Sequence, residues 1–193
     1  MTFSDSINPN IMVKGSSLLS LLNSMNSFTS IGELLLKGNN ISNPTKDDNY
    51  PIHDVLKTYC HLLECVGKNT MTSVGKAIPE NVVFPANITS IEDALFSIDI
   101  AYHMNHNLNG LPLFDPESGI MKEGIGHYLF KKLNEFSAEI SCDNPYPCDF
   151  DIGIIEAMAN KFKPVNNYVK IKHKNEKCRK NGDSYCCYLI NWN

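Results

Sequence analysis

Near residue 105 the spacing of apolar residues changes from about four to about two, and that change limits what the chain can fold into more than any other feature. A recurrence near four marks helices with one buried stripe, and strict alternation marks strands with one buried face. Helical signals gathered in front of strand signals give an α+β fold rather than an alternating α/β one. In the front half Leu18, Leu19, Leu21, Leu22 and Met25 predict a first helix, and Ser30-x-x-Glu33 spells a capping box for a second that Gly38 stops. Residues 37–50 read as a polar loop. Pro51 then opens the clearest helix, with Ile52, Val55, Leu56, Tyr59, Leu63 and Val66 on one face and Gly67 as its end. A shorter helix through Met71, Val74 and Ile78 breaks at Pro79. Thr89-x-x-Glu92 offers another capping box, ahead of the stripe Ile91, Leu95, Ile98 and Tyr102.

Behind residue 105 the segment 105–125 is rich in Asn, Gly, Pro and Asp and predicts a long loop of the kind that carries function or moves. Phe136, Ala138, Ile140 and Cys142 alternate with Ser137, Glu139 and Ser141, and residues 128–133 are expected to pair with them as a hairpin around Asn134. A helix from Asp149 carries Ile152, Ile155, Met158 and Phe162 on one face and stops at Pro164. Val169, Ile171 and His173 then point inward from a strand whose outer face is Lys170, Lys172 and Lys174, and residues 185–192 return across an Asn181-Gly182 turn. The expectation is a set of N-terminal helices packed on a C-terminal antiparallel sheet of β-β-α-β-β order. It forms one domain over residues 12–193, behind a disordered segment 1–11. A chain of 193 residues is long enough to bury such a core without covalent staples.

Composition narrows the function. No apolar run approaches the ~20 residues of a membrane span, and no secretion signal opens the chain, so a cytoplasmic protein is expected. Seven cysteines, an odd number, then point to free thiols or a metal site rather than a disulfide framework. Net charge is −4 and Arg179 is the lone arginine among 17 basic residues, which argues against a nucleic-acid partner. No glycine-rich phosphate loop, nucleophile elbow or HExxH sequence supports a kinase, hydrolase or dehydrogenase.

Three groups of residues remain that carry chemistry. Asp99, His103 and His106 stand at i, i+4 and i+7, so a carboxylate can orient the first imidazole while both rings point into a shared space, roughly 100° from Tyr102. The plainer reading is a polar helix flank whose histidine caps the last carbonyls. His173, on an inward face, is read either as a hydrogen-bonded core residue or as a ligand contact, and His127 is a further candidate contact. Cys178 and Cys186 flank the turn. A two-residue Asn-Gly turn pairs residues whose numbers sum to 363, setting His173 opposite Ile190 but the two cysteines on opposite faces. A bulge between Lys174 and Cys178 would reverse that parity and let both thiolates join Cys148 around zinc, with Glu176 or a water as fourth ligand. The alternative is buried thiols acting as small apolar residues.

The run NPYPCDFDIGIIEAMANKF, followed by VKIKHKNEKCRKNGDSYCCYLINW, resembles the C-terminal half of four-vinyl-reductase-type small-molecule-binding domains. More distantly it is similar to the haem nitric oxide/oxygen-binding domains, and the fold is related to that of trafficking-complex subunits. YPIHDVLKTYCHLLECVGKNTMTSVGKAI looks like the paired helices ahead of the ligand pocket in the haem-binding group. That resemblance implies His103, in SIDIAYH, as an axial haem ligand. It also implies a Tyr-x-Ser-x-Arg motif for the propionates, where this chain has Ile140, Cys142 and Asn144 and lacks the arginine. From the zinc-bearing members it implies a metal held by a glutamate and three cysteines. Cys178 and Cys186 match the spacing, Cys148 lies a few residues off, and Asn175 occupies the glutamate register beside Glu176.

The reading that follows is a sensory module enclosing a small hydrophobic molecule or tetrapyrrole, with polar contacts from Asp99, His103, His106, His127 and His173. It would signal to a partner protein in trans and is expected to form a homodimer. The alternatives are a haem-based gas or redox sensor ligated by His103, a tetrapyrrole-related reductase, or an interaction protein with no ligand. Structural zinc is the expected metal, and no residue pair specifies a catalysed reaction.

Overall fold

Strand β1 (Ile11–Lys14) runs directly into helix α1 (Gly15–Ser24), and a 3-10 turn at Asn26–Phe28 leads into α2 (Thr29–Gly38) in this computed structural model, which describes residues 7–193. There follow β2 (Asn49–Pro51), α3 (Ile52–Ala77), a 3-10 turn at Pro79–Asn81, α4 (Ile91–Met104), β3 (His106–Leu108) and β4 (Leu111–Pro112). The second half comprises β5 (Tyr128–Asn134), β6 (Ser137–Cys142), α5 (Cys148–Phe162), β7 (Val169–His173), a 3-10 turn at Arg179–Asn181 and β8 (Cys186–Trp192). The fold is α+β, as the change of period predicts. Strands β5 to β8 and α5 have the expected β-β-α-β-β order, in an antiparallel sheet ordered β5-β6-β8-β7.

The helices form where the apolar stripes place them. Ile52, Val55, Leu56, Tyr59 and Leu62 are buried along α3, and Gly67, at φ 76°, interrupts that element where the stripe ends. A left-handed backbone there has little cost for glycine and breaks the helical path. α5 is clamped between α3 and the sheet. Gly75 and Gly153 make this close approach possible: a Cβ on Gly75 would lie 2.2 Å from the Phe150 carbonyl oxygen, and one on Gly153 2.2 Å from that of Thr72.

Several local expectations shift. The Ser30-x-x-Glu33 box does not form, because the 3-10 turn starts the helix at Thr29 and leaves Ser30 already inside it. At α4 the box is one residue later than spelled, with Ser90 Oγ accepting from the Asp93 N–H and Asp93 Oδ2 accepting from the Ser90 N–H. Of the segment expected to be disordered, residues 1–6 lie outside the described residues, whereas Ile7 and Ile11 are buried in the core. β1 is the centre of a second sheet, ordered β2-β1-β3-β4, whose strands of two to four residues are too short to show a period. The last hairpin also departs from the two-residue turn. His173 pairs with Tyr188 and Ile171 with Ile190, and residues 174–185 form a long connection whose αL residue is Gly182.

Candidate functional site

A cleft of about 520 Å³ opens between α1, α3, α4, α5 and the segment 78–88. Its floor includes Tyr59, Ile98, Tyr102, Phe150 and Met158, and Lys14 is the only charged residue of its lining among the described residues. A concave, mostly apolar space of this size with a few polar groups is what a small-molecule site requires. Tyr59 meets Tyr146 and Phe150 edge-on, each at 5.0 Å between ring centroids. Tyr102 donates its hydroxyl hydrogen to the Ile125 carbonyl at 2.7 Å. The Tyr59 ring is buried, but its hydroxyl is open to the cleft and makes no hydrogen bond among the described residues, so a polar atom in an apolar cleft is left for a guest.

His106 is the one predicted ligand contact that lines this cleft. Its Nδ1 lies 2.7 Å from the Tyr102 carbonyl and must donate to it, so Nε2, 2.9 Å away, accepts from the Tyr146 hydroxyl. Burial pushes its pKa down to about 4, and the ring is neutral. The shared space expected for His103 and His106 is not formed. α4 ends at Met104, so His106 begins β3 and the i+7 relation is broken. Ser97, Ile98, Ala101, Met104 and Asn105 are the α4 face toward the cleft, which leaves Asp99 and His103 on the opposite flank. His173 lies outside the cleft, on β7 against the Tyr188 ring at 4.8 Å.

On that opposite flank Asp99 gathers two histidines. Its Oδ1 accepts from the Tyr128 N–H at 2.8 Å and its Oδ2 stands 3.0 Å from His127 Nδ1, while His127 Nε2 meets Glu123 Oε2 at 2.7 Å. Burial alone would lower the His127 pKa, but the hydrogen bonds to Asp99 and Glu123 outweigh it and raise the pKa. His103 is fully buried. Its Nδ1 donates to the Asp99 carbonyl at 2.9 Å and its ring lies 4.9 Å from that of His127.

The long β7–β8 connection brings the cysteines together without the single bulge expected from parity. Cys148 Sγ is 3.2 Å from Cys186 Sγ, and Cys178 Sγ is 3.7 Å from both. A tetrahedral zinc with Zn–S near 2.3 Å needs sulfurs about 3.8 Å apart, so three corners of such a site are in place. Glu176 is exposed and stands apart from the cluster. The Cys148 thiol and the Arg179 N–H and guanidinium together hold the Cys186 thiol well below its ordinary pKa.

Beneath the thiols lies a buried polar centre that the sequence did not announce. Arg179 reaches Asp151 through Nη2 and donates from Nη1 to Asn144 Oδ1 at 3.0 Å, and Tyr128 donates to Asp151 Oδ1 at 2.6 Å. Burial pushes Asp151 up to about 6, against the pull of Arg179. Two signals could have found this centre: the lone arginine, and an aspartate four residues ahead of Ile155 on a buried stripe. Asn144 occupies the place where the resemblance calls for an arginine. A guanidinium does arrive beside it, but from the hairpin and already paired with a carboxylate.

No family model matches the chain, and no curated protein matches it. Solved structures do. An H-NOX protein from S. oneidensis in the Fe(II)NO ligation state has a TM-score of 0.64 at 12% identity, covering 93% of this chain and 99% of that one. A mutant of T. Tengcongensis H-NOX reaches 0.65 at 14% identity, with 93% and 97% covered. An oxygen-binding H-NOX domain related to soluble guanylate cyclases, in its oxygen complex, reaches 0.63 at 14%, with 93% and 94% covered. The fold is that of the H-NOX structures. At such identities the H-NOX likeness concerns the path of the backbone and leaves the side chains of the site to be judged on their own chemistry.

Proposed function

We propose that this chain is a ligand-binding module on an H-NOX fold, taking one small, largely apolar molecule into the cleft, with a polar group of the guest directed at Tyr59. The observation that carries this reading is the apolar cleft with an unpartnered tyrosine hydroxyl. His106, held neutral between Tyr102 and Tyr146, takes up the Tyr146 hydroxyl hydrogen and leaves that oxygen as an acceptor for a donor on the guest. Binding at α4 and the segment 78–88 is the change that a partner protein reads in trans. Zinc on Cys148, Cys178 and Cys186 fits the sulfur triangle, with water as the fourth ligand. It would supply no reaction step and would clamp the last hairpin to the start of α5.

The fold likeness favours a second reading, haem with His103 as axial ligand. As packed, the residues do not fit that group. His103 faces away from the cleft, both nitrogens of His106 are engaged, and Arg179, needed for a propionate, is committed to Asp151. A free propionate buried there would be costly.

Thermal unfolding of the full chain with a panel of phenols, aliphatic acids and haem separates the two readings. The expected result is a rise in Tm with a small apolar compound that disappears in Ile154→Trp, a substitution that fills the cleft. No shift with any compound would overturn the proposal, and a Soret band lost on His103→Ala would establish the haem reading in its place.

A further inference from the structure

Neither the cleft nor the thiol triangle uses the cluster formed by Asp99, His103 and His127. One donor atom from each of these three residues lies within 4.8 Å of the other two. Both imidazoles are tethered through one nitrogen to an oxygen acceptor, His103 Nδ1 to the Asp99 carbonyl at 2.9 Å and His127 Nε2 to the Glu123 carboxylate at 2.7 Å. Metal-ligating histidines are held in this way, by a carbonyl or carboxylate behind the ring that fixes the tautomer and its direction. The nitrogens that would face an ion are His127 Nδ1, which would give up its proton and its 3.0 Å hydrogen bond to Asp99 Oδ2, and His103 Nε2. The latter is buried and has no hydrogen-bond partner, one of only two such side-chain atoms among the described residues. With Nδ1 donating, Nε2 of a neutral ring is a bare lone pair, and a buried lone pair without a partner calls for an explanation.

We propose that Asp99, His103 and His127 bind one divalent first-row transition-metal ion, with water completing its coordination. Two imidazoles and a carboxylate suit zinc, cobalt(II), nickel(II) or iron(II). Calcium and magnesium prefer all-oxygen shells, and thiolates are the better home for copper(I). Ligands about 2.0 Å from a tetrahedral ion stand about 3.3 Å apart, so the side chains have to rotate and close around the ion. The Asp99 and His127 side chains are 16% and 17% exposed, which gives an ion a route in and leaves room for water. The ion would tie His127, immediately ahead of β5, to α4, whose other face lines the cleft. Nothing in this assignment depends on a guest in the cleft.

The test is a cobalt(II) titration of the full-length, haem-free protein, followed by visible absorption. The expected result, apart from any equivalent with thiolate charge transfer taken by the cysteine triangle, is one equivalent with weak ligand-field bands and no intense near-ultraviolet thiolate charge-transfer band. It should persist in Cys178→Ser, vanish in His127→Ala and weaken at least tenfold in Asp99→Asn. Glu123→Gln, at a far more exposed residue behind the ring, should weaken it about tenfold and keeps the test decisive if the buried variants fail to fold. If every cobalt ion bound shows thiolate charge transfer, or if His127→Ala and Glu123→Gln bind as tightly as wild type, the proposal is wrong.

Discussion

Asp151 and Arg179 are the residues on which the back half most depends, because the carboxylate is fully buried, the guanidinium is nearly so, and each neutralises the other. Removing one partner of such a pair leaves an uncompensated charge and costs about 3–5 kcal/mol. Asp151→Ala should therefore lower the unfolding free energy by about that much in urea denaturation. Asp149→Ala, which frees only the half-exposed Lys180, should cost under about 1 kcal/mol. Equal effects would mean that the Arg179 pair is no more than a surface contact. A second prediction concerns pH. His106 falls from an unfolded value near 6.5 to about 4, so its contribution to stability is full above 6.5 and lost as pH falls toward 4. Asp151 rises from 3.8 to about 6, so its contribution is full below 3.8 and lost as pH rises through 6. Over the range between the two folded-state values they oppose each other. His106→Gln removes one of them, and its stability relative to wild type should drop by on the order of 3 kcal/mol as pH rises across that range. Parallel pH profiles for the two proteins would show that the imidazole is not buried as described.

Among the elements, the crossing of α3 and α5 carries the tightest constraint. With the Gly153 Cβ position 2.2 Å from the Thr72 carbonyl oxygen and 2.9 Å from Gly75 Cα, a methyl group forces backbone to move. Gly153→Ala is expected to cost about 1–3 kcal/mol by overpacking. Gly38→Ala, with nothing within 4 Å, should be neutral or slightly stabilising, and chemical denaturation of both checks the contrast. The same scale shows how far periodicity reaches. The Pro51 start, the Gly67 break and the alternation of β7 were legible, because each is a local steric preference repeated along the chain, whereas the wet face expected for β6 is not there: Ser137 and Glu139 are buried and Phe136 is 47% exposed. That β7 pairs with β8 was legible too, but the register of that pairing was not. Asn181-Gly182 looks like a two-residue turn, but the contacts of Cys178, Arg179 and Asp183 with their surroundings draw residues 174–185 into a longer connection. The register moves by two residues as a result.

For the molecule as a whole, the hairpin, α5 and the cleft share one wall, since Phe150, Ile154 and Met158 of α5 line the cleft while Cys148, at its start, faces the thiols. A zinc ion on that triangle would stabilise the folded state, because an unfolded chain holds no preformed site. Zinc added to metal-free protein should raise Tm more in wild type than in Cys178→Ser, and chelator should reverse the rise in both. An undiminished rise in the variant would show that the cysteine triangle holds no stabilising metal. Composition and period by themselves determined the α+β class, the order of helices before sheet and the want of a phosphate loop or nucleophile elbow, since these depend on neighbours in sequence. Only the tertiary structure decided which histidine meets the cleft, which carboxylate receives Arg179 and which sulfurs converge. Side-chain direction at the end of a helix, and in a long connection, is fixed by packing partners that lie dozens of residues away.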